Sequence, residues 1–122
     1  MQPGFDLDLQ IAIEVMGFTE KKDNDGKLIA IRDEPNDYDY FIDENEFEFN
    51  PSEDIGDAFL VVERMKELDY DAYIEVGATG DSYSCEFAHV AEYHKRESHV
   101  YDSMPMAICL AALKVVGVDV DE

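Results

Sequence analysis

SMPMAICLAALKVVG, residues 103–117, is the stretch whose reading decides the fold. Ala107, Ile108, Ala111, Ala112 and Val115 recur at helical spacing, and Leu110 and Leu113 lie beside that stripe. Ser103 and Pro105 mark the start, because Pro is tolerated in a first helical turn, and Gly117 suits the left-handed residue that ends a helix. A helix apolar on nearly every side is predicted to be the most buried element of its protein.

Working outward, a second helix follows Asn50-Pro51-Ser52-Glu53, with Asn50 or Ser52 as its cap and acids at its positive end. Ile55, Phe59, Val62, Met65 and Leu68 supply its predicted core stripe, and Arg64 and Lys66 fall near its C-terminus, where the helix dipole favours cations. A first helix carries Leu7, Leu9, Ile11, Ala12, Val15 and Met16 behind Asp6 as cap, and Gly17 ends it. Phe18 to Arg32 reads as a β-hairpin turning at Asp23-Asn24-Asp25-Gly26, residues that tolerate positive φ. Asp71–Val76 and Tyr83–Ala91 are paired strands joined at Gly77–Asp81, and Lys95–Ser98 is a further hairpin tip before a short strand through Val100. With no repeat and no linker, the 122 residues form one domain of the α+β class, a small antiparallel sheet with about three helices packed on it, an α/β sandwich.

Charge sets this chain apart. Thirty Asp and Glu against nine Lys and Arg give a formal net charge of −21. Such a molecule is repelled by nucleic acid and by anionic membrane surfaces, and attracts basic proteins and divalent cations. Seven Phe and seven Tyr argue for a packed core despite that charge. Cys85 and Cys109 form no CxxC and no framework, so both are read as buried free thiols of a reducing compartment. The segment Met1–Gln10 has no basic leader region and carries Asp6 and Asp8, and no apolar run reaches the length of a membrane span, so a cytoplasmic location is expected.

No catalytic motif emerges, and no cofactor is expected. Asp23–Gly26 resembles the middle of an EF-hand loop, but the loop's first and twelfth positions would be Lys21 and Arg32, cations where carboxylates are needed. His89, His94 and His99 are spaced by five, unlike metal ligands on a helix or strand, so no metal site is expected. Cys85 and His89, four apart on one strand face, stand about 13 Å apart, too far for a nucleophile–base pair. Gly77-Ala78-Thr79-Gly80 lacks the Lys and following helix of a phosphate loop.

The segment Asp33–Glu63 is the feature beyond the ordinary. It holds twelve acids and no Lys or Arg. Acids and aromatics alternate through Asp37, Tyr38, Asp39, Tyr40 and again through Glu46, Phe47, Glu48, Phe49, a period of two that fits short strands with aromatics inward and acids outward. Same-face carboxylates on a strand lie about 6–7 Å apart, near the phosphate spacing along one nucleic-acid strand. The candidate partner-binding set is Asp37, Tyr38, Asp39, Tyr40, Asp43, Glu44, Glu46, Phe47 and Glu48, with Tyr38, Tyr40 and Phe47 as apolar anchors. Crowding is also expected to raise the pKa values of such carboxyls.

Three stretches resemble the phage ABA sandwich domain family: Asp8–Gly17, Asn50–Ile55 running into Val61-Val62-Glu63, and Pro105–Lys114. The resemblance implies a small antiparallel sheet with helices packed on it, no catalytic residues, and a phage or prophage origin. The acidity of Asp33–Phe49 departs from the family pattern. Together these readings lead to an expectation of a non-enzymatic inhibitor. It would occupy a basic, nucleic-acid-binding surface of a host protein in the host cytoplasm, as an anti-restriction or anti-CRISPR-like nucleic-acid mimic that does not itself bind nucleic acid or membrane. The alternative is a phage accessory or structural interaction protein whose acidity serves only solubility.

Overall fold

In the computed structural model, residues 1–44, 46–78, 80 and 82–120 are described. The C-terminal helix, α3 (Met104–Val115), lies at the centre, with Met106 through Leu113 all buried. Its start is fixed by Ser103, whose Oγ accepts the Met106 N–H, with Pro105 in the first turn. Its end is a Schellman turn: Gly117, at φ 87°, donates to the Lys114 carbonyl, and Val118 donates back to the Leu113 carbonyl.

One side of α3 is covered by an antiparallel sheet of three strands, ordered β5 (Tyr70–Val76), β6 (Tyr83–His89) and β7 (Arg96–Tyr101). Cys85 and Phe87 are the fully buried residues of β6; Ile74 pairs with Cys85, and Ala72 with Phe87. The hairpin tip between β6 and β7 precedes Lys95, because Arg96 already pairs with Ala88. The turn read at Gly77–Asp81 includes Thr79 and Asp81, which lie outside the described residues.

A second sheet, ordered β1 (Thr19–Lys22), β2 (Leu28–Asp33), β3 (Tyr38–Asp43) and β4 (Glu46–Phe47), is also antiparallel. The expected single sheet is therefore two. The β1–β2 turn falls where the sequence puts it: the Asp23 carboxylate accepts the N–H groups of Asp25 and Lys27, and Gly26 takes φ 84°. The edge strand β1 is exposed along its length and carries Lys21 and Lys22, which discourages further strand pairing.

The helices α1 (Phe5–Gln10) and α2 (Ile55–Glu67) complete the core. α1 runs on into a π-helical turn, Ile11–Val15, which keeps Leu7, Ile11, Ala12 and Val15 buried. Its N-cap is Gly4, so Asp6 sits inside the first turn instead of capping it. The cap of α2 is Asp54, which accepts the Gly56 N–H at 3.0 Å, and not Asn50 or Ser52. Its buried stripe is Ala58, Val61 and Met65, while Ile55 and Phe59, read from the sequence as core, face solvent. Size explains the difference, since Ala58 and Val61 let α2 approach the alanine-rich α3 more closely than Phe59 would.

Ala111 is fully buried near the middle of α3. Ala111→Asp should therefore abolish the cooperative melting transition, because a buried unpaired carboxylate costs several kcal/mol, comparable to the ~5–15 kcal/mol stability of a small domain. A folded variant melting within a few degrees of the parent would contradict this placement of α3.

Candidate interaction surface

Strand parity sorts the candidate residues. On β3, Tyr38, Tyr40 and Ile42 share one face, and Asp39, Phe41 and Asp43 the other. Tyr40 and Phe47 turn into an aromatic cluster: Tyr40 lies 5.6 Å from Phe18 and 5.4 Å from Phe49 between ring centroids, and Phe47 lies 6.2 Å from Phe49. Tyr38 packs edge-on against Tyr40 and donates its hydroxyl to Glu48. That hydrogen bond is the leading cause of a raised Tyr38 pKa. Tyr38 is itself 44% exposed, and the most exposed aromatic of the strand is Phe41, at 61% between Asp39 and Asp43. It escaped the sequence reading because the acid–aromatic alternation shifts register at Tyr40-Phe41; counting parity from Tyr38 would have found it.

The acids also divide. Arg32 gathers Glu34, Asp37 and Asp39, and Lys21 reaches Asp39 at 3.0 Å. Hydrogen bonds from Lys21 and then Arg32 hold the Asp39 carboxyl below its usual range. Asp37, at φ 53°, belongs to the tight β2–β3 turn. Asp43, Glu44 and Glu46 are exposed around the β3–β4 turn, and among the described residues no cation forms an ion pair with them. Asp43 stands directly opposite Glu46 across the ladder.

Beneath this tip lies Asp8, a buried carboxyl 2% exposed. Ser52 donates its N–H to Asp8 at 2.8 Å, and the Ser52 hydroxyl oxygen accepts from the Gly4 N–H at 2.9 Å. These bonds tie the start of α1 to the Asn50–Glu53 turn. Burial pushes the Asp8 pKa from the usual 3.8 up to about 6; the Ser52 hydrogen bonds oppose the rise, and Glu53 and Asp57 add to it. Desolvation, with like charge as a minor contribution, thus raises this carboxyl. Gly4, Phe5, Asp8, Glu46, Phe47 and Glu53 border a shallow hollow of about 360 Å³ here.

The His89 Nδ1 accepts the Ala91 and Glu92 N–H groups, which shapes the β6–β7 turn, and its ring stacks edge-on with Tyr70. His94 is exposed at that turn, and His99 lies on β7 opposite Cys85. Among the described residues, no three His, Cys, Asp or Glu side chains are grouped to hold a metal ion. Cys85 and Cys109 are buried free thiols; burial pushes Cys85 up to about 12 and Cys109 higher still. Among the described residues, no helix is long and apolar enough to cross a membrane.

These features define a small α+β sandwich protein with a carboxylate-rich surface. The chain belongs to the phage ABA sandwich domain family, which matches residues 9–113. That family is not a known enzyme family. The crystal structure of a phage protein from Bacillus cereus ATCC 14579 is similar at 23% identity and a TM-score of 0.68, over 99% of this chain and 93% of that one, a likeness of fold. No curated protein matches the sequence.

The Asp8 carboxyl makes a pH prediction. Its folded pKa lies above the unfolded one, so folding takes up a proton between about pH 4 and 6. Stability from this group is highest below that window and is lost as pH rises through it, by on the order of 2–3 kcal/mol for a shift of about two units. Asp8→Asn cannot titrate. Denaturant unfolding at pH 4 and pH 7.5 should show the parent losing that much more stability than the variant. Parallel pH profiles would contradict the assignment.

Proposed function

We propose that this phage-family protein is a non-enzymatic inhibitor that covers a basic, nucleic-acid-binding surface of a host protein, as a mimic of the nucleic-acid backbone. The observation that carries the reading is the Asp43–Glu46 pair. Like charges directly opposite on neighbouring strands destabilise a hairpin, and here Glu44 and the nearby Glu48 add to them. A costly arrangement without a counter-ion makes sense where a partner supplies the Lys and Arg. Such charges set on-rate and salt dependence, and an exposed aromatic supplies the apolar contact. Phe41 takes that role most directly, with Tyr38 beside Glu48 at the margin. Tyr40 and Phe47 support the surface from behind, and Asp37 and Asp39 enter it already neutralised by Arg32 and Lys21.

A second reading has its own support. Exposed acids continue around the molecule at Glu14, Glu20, Asp69, Asp71, Glu75 and Glu97, as in a coat serving solubility on an accessory or structural interaction protein.

One variant separates the two. Asp43→Asn, Glu44→Gln, Glu46→Gln and Glu48→Gln together remove the charged tip and should leave the domain folded. Relief of the opposed pair should raise stability by about 0.2–1 kcal/mol. On immobilised protein in a host lysate, the inhibitor reading expects a nucleic-acid-binding protein to be captured at low salt, to be released by excess duplex DNA, and to be missed by the variant. Capture that duplex DNA does not compete, or that the folded variant retains, would overturn it. A variant that differs only by precipitating more readily would favour the solubility reading.

A further inference from the structure

The packing of α2 leaves a second surface that the β3–β4 tip does not use. Ile55, Phe59 and Leu60 are 44%, 48% and 42% exposed. They share the outer side of the first two turns of α2, grouped about Gly56. The core does not require them there, because Ala58, Val61 and Met65 already fill the contact with the rest of the molecule. Single exposed apolar residues need no explanation, but a cluster of three on one helix face is the kind of patch that marks an interaction site. The patch also continues inward: Leu60 borders a groove of about 520 Å³ with Met16, Phe18 and Tyr40 as apolar walls and Asp33, Glu63, Arg64, Lys66 and Glu67 as its charged lining.

The rim of the patch indicates what covers it. Glu53, Asp54 and Asp57 lie at its N-terminal side and Glu63 at its C-terminal side, and no Lys or Arg occurs from residue 33 to residue 63. The first cation along the helix, Arg64, is held by the Val15 carbonyl at 3.1 Å and by Glu67. A second copy of the chain would bring the same acids against this rim on a molecule of formal charge −21, so self-association through the face is opposed by its own electrostatics. A segment with apolar side chains on one side and Lys or Arg along its flanks meets both the centre and the rim. We propose that the outer face of α2, centred on Ile55, Phe59 and Leu60, docks a basic amphipathic helix of a partner protein.

The probe is a labelled helical peptide built only of Leu and Lys, followed by fluorescence anisotropy. An oligolysine of equal charge serves as comparison. The Leu–Lys peptide should bind the parent more tightly than oligolysine does. Phe59→Ser with Leu60→Ser should weaken it about tenfold or more, as loss of central anchors does, with the melting transition retained. If the double variant fails to fold, Ile55→Ser alone should still weaken binding. The amide variant of the β3–β4 tip should keep the preference for the Leu–Lys peptide over oligolysine, which separates this surface from that one. Equal affinity for both peptides, or unchanged affinity in the folded Phe59/Leu60 variant, would overturn the proposal. So would a dimer in sedimentation that the same variant abolishes, because the face would then be covered by a second copy.

Discussion

Burial of α3 is the constraint on which the rest of the molecule depends. Eight consecutive side chains, Met106 to Leu113, are removed from water, so every side of the helix must be covered. The β5–β7 sheet covers one side through Cys85 and Phe87, and α2 and the π-helical turn join the same core through Val61, Met65, Ile11 and Val15. Ala107, Ala111 and Ala112 keep the helix slim enough for these neighbours to come close. Apolar burial is also what opposes the surface: a net charge of −21 favours expansion, and the core must outweigh that repulsion.

Lys21, Arg32, Arg64, Lys95 and Arg96 are spent locally. Arg32 serves three carboxylates at the β2–β3 turn, Arg96 pairs with Glu86 across the β5–β7 sheet, and Lys95 pairs with Glu92 in the turn before it. Exposed ion pairs of this kind contribute little stability, typically about 0–1 kcal/mol each. Their larger consequence is spatial. By neutralising Asp37 and Asp39, they leave the tip at Asp43–Glu48 and the N-terminal part of α2 as stretches of acids that, among the described residues, no Lys or Arg pairs. Both regions carry an exposed aromatic, Phe41 on one and Phe59 on the other.

Much of this was legible from residue order. The all-round apolar pattern of residues 107–113 marked the central helix, and Asp23–Gly26 marked a turn whose Asp side chain and positive-φ glycine do what their chemistry suggests. Period-two alternation placed Tyr40 and Phe47 inward. What escaped is what depends on tertiary partners. The apolar stripe of α2 looked best through its largest residues, yet shape matching to an alanine-rich helix selected Ala58 and Val61. Asp54 is the cap, while Ser52 in the preceding turn is engaged with Asp8, a long-range contact that no local pattern announces. The acid–aromatic alternation breaks at Tyr40-Phe41, which hid Phe41, and the split into two sheets has no signal in strand patterns that look alike.

Native-state hydrogen exchange tests the central place of α3 most directly. The account predicts that the amides of residues 108–113 are the slowest in the molecule, exchanging only with global unfolding, while those of β1 and β2 open at lower free energy. Exchange of the α3 amides faster than those of the β1–β2 hairpin would contradict it, because the helix could then leave the core while the β1–β4 sheet remained folded.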